Sequence, residues 1–341
     1  MPMEINNMYR LKYLGLANNS FSSQIPANIS GYENLEALRL AKNRLVGEVP
    51  IAIASMSKLT SVLISLNNLS RNFPEFFENL TSLVLISATF NDFVGRLPTS
   101  LGRLQNLEYL YLGANGLSGT LPSSIFNISS PVGIQLVLNQ LEGSLPPDLD
   151  VTLPNLVDLN VAINQFTGPI PASILNATKV MRLKFPANKF SGNLGSGAQG
   201  DLKFPESINS TSLECLAISY NNFGGTLPRS IGNLSSQLNK MTIAVGNQLS
   251  GNIPSSIGNL RGLEMLHIGD DKFTGNIPHT IGNLIELKEF DAEMSKLTGS
   301  IPSMIENLTE LLQLSLKGNN LQGSIPPRIG KCQKLLEIDI S

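Results

Sequence analysis

The stretch "GSGAQG", residues 195 to 200, carries the spacing G-x-G-x-x-G. Such glycines let a backbone close on a pyrophosphate where a strand gives way to a helix. That chemistry also needs a buried strand before the loop, a helix after it and an acidic residue about 20 positions on. Glu214 stands near that distance. Other chemistry is thinner. His267 and His279 are the only histidines, and neither is followed by Arg as a kinase H-R-D loop requires; D-F-G is absent too. No Ser-His-Asp signature is present, and no Cys lies at metal-ligand spacing from a His. The expectation is a protein without catalysis, metal or cofactor. With 24 basic and 26 acidic residues, a net charge of −2 and 15% charged residues, a broad nucleic-acid surface is not expected. No apolar run reaches the ~20 residues of a membrane span, and no basic-then-apolar leader opens the chain.

The elements that would position any such residue come from a repeat. The unit L-x-x-L-x-L-x-x-N-x-L-x-G-x-I-P reads cleanly as "LEALRLAKNRLVGEVP" from Leu35 and "LEYLYLGANGLSGTLP" from Leu107. "LLQLSLKGNNLQGSIP" from Leu311 is a third copy. The first Leu recurs mostly every 24 residues, from Leu11 to Leu335, with one interval of 33 between Val180 and Leu213. That makes about fourteen units over residues 1–341 as one solenoid, with an irregular insertion over 195–212. L-x-L predicts a short strand whose alternate side chains turn inward. One unit cannot bury them alone, but stacked units share a core. The interior Asn, at positions such as Asn67, Asn91, Asn139 and Asn221, has both donors and an acceptor for backbone groups of adjacent turns. Asp271 and Ser295 break this ladder, and local loosening is expected there. One extra residue before Asn247 predicts a bulge near Gly246.

The pattern resembles plant leucine-rich-repeat proteins, above all ectodomains of receptor-like serine/threonine kinases. The G-x-I-P segment followed by "SSIGNL" (255–260) or "TSLGRL" (99–104) carries the resemblance over nearly the whole chain. The fold it implies is an α/β leucine-rich-repeat solenoid, a right-handed superhelix. A concave parallel β-sheet, a short second sheet and an irregular or 3-10 convex side make it up. The stretch from "GDLKFPESINSTSLECL" to "GGTLPRSIGNLSSQLNKM" resembles the irregular repeat of the elongation-factor-Tu-receptor-like immune subgroup. Ser210 departs from the Cys that often follows Asn there. Pro2 is already in register with Pro26 and the chain stops within a repeat at Ser341. The expectation is a fragment lacking caps, membrane span and kinase. The resemblance implies a peptide or protein ligand, a microbial pattern in innate immunity or else an endogenous signal, together with a co-receptor kinase and the extracellular face of the plasma membrane. The alternatives are a secreted inhibitor of cell-wall-degrading enzymes, a receptor-like protein without kinase, or a fragment with no role of its own.

The concave face is the expected working surface, because its side chains are free of packing. Its central columns offer Tyr109, Tyr111, Gln135, Asp158, Asn160, Arg182 and Lys184, aromatic anchors beside a cation. Farther on, His267 and Asp291 lie in an acidic stretch with Glu264, Asp270, Glu289 and Glu293, suited to a basic peptide segment. Sequons at Asn28, Asn68, Asn79, Asn127, Asn176, Asn209, Asn233 and Asn307 are candidate glycosylation sites; most fall in a column off the sheet face. Asn18 carries one more, at a strand exit. Cys215 and Cys332 are five repeats apart, roughly 24 Å at ~4.8 Å per strand, too far for a disulfide.

Overall fold

Most of the described repeats fold in the order strand, ladder turn, outer strand, proline, 3-10 turn. The structure is a computed structural model that describes residues 8–195 and 212–341. The expected insertion at 195–212 falls almost wholly outside them. The chain divides into two units, Met1–Gln165 and Phe166–Ser341.

In the first unit the strands of the main sheet are Tyr13–Gly15, Ala37–Arg39, Ser61–Leu63, Leu85–Ser87, Tyr109–Tyr111, Gly133–Gln135 and Asp158–Asn160. All pair in parallel with the middle residue of each triplet in register: Leu14, Leu38, Val62, Ile86, Leu110, Ile134 and Leu159. These are buried, while the two flanking residues face the open side of the sheet. Each G-x-I/L-P segment ends an outer strand. The ring of Pro98 holds φ at −72°, and its carbonyl accepts the Leu101 amide at 3.2 Å, which starts the 3-10 turn Thr99–Arg103. Leu101 then drops into the core. One repeat closes with a four-residue α-helical turn instead, Leu149–Thr152.

The second unit repeats the scheme with Arg182–Lys184, Cys215–Ala217, Lys240–Thr242, Met265–His267, Glu289–Asp291, Gln313–Ser315 and Glu337–Asp339. Its outer strands Asn222–Gly225 and Ser250–Asn252 form no ladder; they are joined by the isolated bridge Thr226–Ser250 and by the Ser250 hydroxyl, which donates to the Gly225 carbonyl at 3.3 Å. The expected extra residue explains the gap. Gly246 takes φ +71°, and the Asn247 amide reaches back four residues, to the Ile243 carbonyl at 2.9 Å, where other rungs reach back three.

The ladder is the internal polar spine. The Asn67 side chain donates to Ile64 of its own turn at 3.0 Å and to Leu40 of the preceding one at 3.1 Å, and accepts the Leu45 amide at 3.0 Å. Asn91, Asn115 and Asn139 repeat the arrangement. The expected loosening at Asp271 and Ser295 does not take the form of lost strand pairing. Leu266, Phe290 and Leu314 stay in register. What weakens is hydrogen bonding: the Ser295 hydroxyl is buried without a partner, and the buried Asp271 oxygens have only the weak pull of the Leu249 and Asn247 backbone in place of full ladder bonds.

Candidate functional site

The residue before each ladder position must turn the chain inward, and it does so in the left-handed region. Leu66, Phe90, Leu138, Ile163 and Tyr220 have φ between +52° and +59°. The same geometry throws their side chains outward; Phe90 is 57% exposed. Bulky residues pay strain to sit there. In the first unit Phe90, Val94, Ala114 and Leu138 line an open apolar groove of about 370 Å³. Sequence reading missed this column, since nothing in the repeat marks that residue as outward-facing.

The sheet face of the first unit gathers five of the expected site residues. Tyr109, Gly133 and Asp158 are neighbours in one row, and Tyr111, Gln135 and Asn160 in the next. The two tyrosine rings lie 5.9 Å apart and tilted by 60°. Gly133 makes room for them, because a Cβ there would fall 2.9 Å from the Tyr111 hydroxyl. Asp158 is only 9% exposed, less open than expected, and accepts from the Gln135 amide at 3.1 Å. Asn160 spends its side-chain oxygen on the Ala162 amide at 3.1 Å. The patch therefore offers ring faces, an oriented amide and a held carboxylate. It can stack and hydrogen-bond, but it pairs no nucleophile with a base.

In the second unit Arg182 and Lys184 pair in register with Cys215 and Ala217, and Arg182 stands 3.7 Å from Glu214. His267 and Asp291 are neighbours across strands, and His267 Nε2 lies 3.4 Å from Glu289. Both line a cavity of about 290 Å³ with Ser219, Tyr220, Thr242, Val245, Asp270 and Glu293. Burial pushes the Asp291 carboxyl above its usual range; the Glu293 amide and His267 pull it down, while the Glu293 and Asp270 charges push it further up. Sequence reading found the acidic half of this lining and missed Ser219, Tyr220 and Val245.

The sequons Asn79, Asn127, Asn176, Asn233 and Asn307 each close a 3-10 turn, and Asn28 lies within one. All six are off the sheet face. Asn68 opens an outer strand, and Asn209 lies outside the described residues. Neither cysteine forms a disulfide. Gly195, the first glycine of the fingerprint, has φ +87°, and a Cβ there would lie 2.8 Å from Pro228. A glycine is needed at this position for backbone shape and close packing, without reference to phosphate. Among the described residues no acidic, His or Cys cluster can hold a metal, and no helix is long and apolar enough to cross a membrane.

Residues 10–32, 106–128, 212–234 and 310–332 match the family model Leucine Rich Repeat. No curated protein matches the chain. Among solved structures, the complex PEPR1–AtPEP1 matches 99% of this chain over 49% of its own, at 27% identity and TM-score 0.84. The Arabidopsis receptor kinase HAESA, solved with the peptide hormone IDA and the co-receptor SERK1, matches 99% of this chain over 63% of its own, at 28% identity and TM-score 0.72. A leucine-rich-repeat protein of Leptospira interrogans matches 99% over 80%, at 28% identity and TM-score 0.78. The chain is thus a leucine-rich-repeat solenoid similar to plant receptor-kinase ectodomains. It spans about half to two thirds of the two plant receptor chains compared. No catalytic domain is evident in the described residues.

Proposed function

We propose that the chain is the ligand-binding part of a plant receptor-kinase ectodomain, outside the plasma membrane, that takes a peptide or protein segment on the open face of its main sheet. The observation that carries this reading is the sheet face itself: Tyr109, Tyr111 and Gln135 are held in place side by side on its open face, in a fold shared with peptide-bound receptors. By the same similarity the partner set includes a co-receptor kinase. The resemblance of the long repeat to immune receptors favours a microbial pattern over an endogenous hormone. The sugars on the sequon column would leave the sheet face open; a mass ladder collapsing on glycosidase treatment of plant-expressed protein is the expected readout.

The test is a screen of the whole chain against synthetic microbial and plant-secreted peptides. At least one peptide should bind, and Tyr109→Ala with Tyr111→Ala should weaken it at least tenfold. Absence of binding across the screen, or binding untouched by that pair, overturns the reading.

A further inference from the structure

The cavity in the second unit owes its existence to one residue. In the first unit Ser65, two places before Asn67, meets the Ser87 hydroxyl at 2.8 Å and accepts the Thr89 amide at 3.0 Å. Ser219 stands at the same place before Asn221, and Thr242 and Ala244 are the register counterparts of Ser87 and Thr89. Neither bond forms. The extra residue before Asn247 shifts the turn, so that the Tyr220 amide binds Val245 at 2.6 Å, one residue past the counterpart. Ser219 is left 7% exposed, its hydroxyl unpartnered and facing the cavity. Tyr220 leans its ring against Gly246, where a Cβ would come within 2.6 Å of it.

Around that hydroxyl the lining is acidic, with the His267 imidazole beside it. Asp270, Asp291 and Glu293 line the cavity and no Lys or Arg does. One Asp291 oxygen accepts the Glu293 amide at 3.0 Å and one Glu293 oxygen accepts from Ser315 at 2.9 Å. The other oxygens and the whole Asp270 carboxylate remain as acceptors. A metal ion is the wrong occupant, because these carboxylates do not converge as metal ligands do. A planar cation with several donors and a face to lay on an aromatic ring fits instead.

We propose that this cavity is a subsite for the guanidinium group of an arginine side chain, stacked on Tyr220 and hydrogen-bonded by Asp270, Asp291, Glu293 and Ser219. Its use in recognising a peptide rests on the proposed function, but the chemistry of the cavity can be read without any peptide ligand.

The probe is Nα-acetyl-arginine methylamide, with the uncharged citrulline analogue beside it, followed by saturation-transfer NMR on the whole chain. Transfer to the arginine probe should exceed that to citrulline at least fivefold, with the lysine analogue between them. Asp270→Asn with Asp291→Asn should bring the arginine signal down to the citrulline level. Tyr220→Asn, which suits the left-handed backbone, should weaken it in a chain whose thermal unfolding is unchanged. Equal transfer to arginine and citrulline, a lysine signal as strong as arginine, or an arginine signal that survives the carboxylate variant overturns the proposal. A blank peptide screen with a positive arginine signal would overturn the receptor reading and leave the subsite standing; the reverse result would do the opposite.

Discussion

The two units depart from the repeat in complementary places. In the first, the ladder asparagines from Asn43 to Asn139 are fully bonded, but the outer glycine column Gly47, Gly95, Gly119, Gly143 is interrupted by Arg71 at φ +77°. In the second, the glycines Gly251, Gly275, Gly299 and Gly323 all keep their positive φ, but the ladder is interrupted by Asp271 and Ser295. The first departure is exposed and costs only backbone strain. The second is buried and leaves polar atoms short of partners, so it costs more and makes stability depend on pH.

The largest effect should come from breaking the intact ladder. Asn91→Ala removes the donations to Ala88 and Ile64 and the acceptor for the Leu69 amide, and leaves those backbone groups buried. A loss of about 3 kcal/mol in urea unfolding is expected. A loss under about 1 kcal/mol would mean that stacking of the apolar residues, not the ladder, fixes the turns.

Repair of the broken rung comes next. Asp271 is 8% exposed, and burial pushes its carboxyl from 3.8 up to about 7, against the pull of the Leu249 and Asn247 backbone and of Lys272. Between those values the folded chain holds a proton that the unfolded chain has released. Stability therefore falls as pH rises from about 4 to about 7 and is level above. Discounted for solvent screening, the fall is on the order of 2 kcal/mol. Asp271→Asn restores both donors, so the variant should gain about that amount at pH 8 and much less at pH 4.5. A gain that does not change with pH would show that the carboxyl titrates normally. Ser295→Asn should add about 1 kcal/mol with no pH dependence, less than a full rung because the longer side chain must be ordered.

Much of this was legible in advance, and the residues show why. The strand triplets and the ladder follow from periodicity, because burying Leu110 and bonding Asn115 leave no choice of face. Tyr109, Tyr111 and Gln135 came together because register in a parallel stack is set by repeat length. The cavity was not legible, since it depends on where a single inserted residue is absorbed and on what that denies to Ser219. The outward column of Leu66, Phe90 and Leu138 was missed for a related reason. The consensus leaves that position open, and its direction comes from a left-handed turn.

The smallest effect tests the other half of the comparison. Arg71 occupies a place where neighbouring repeats use glycine, and its side chain returns only an exposed ion pair with Glu48 at 3.3 Å. Such pairs contribute from nothing to about 1 kcal/mol. A non-glycine residue at this φ costs roughly 1–2 kcal/mol, part of which glycine gives back through its freer unfolded chain. Arg71→Gly should therefore gain about 0.5 kcal/mol in urea unfolding, and the gain should grow in high salt, where wild type loses its ion pair and the variant does not. A loss at every ionic strength would show that the arginine stem packs on its outer strand well enough to outweigh the strain. The outer column would then tolerate departures through contacts of its own, not because it is cheap to break.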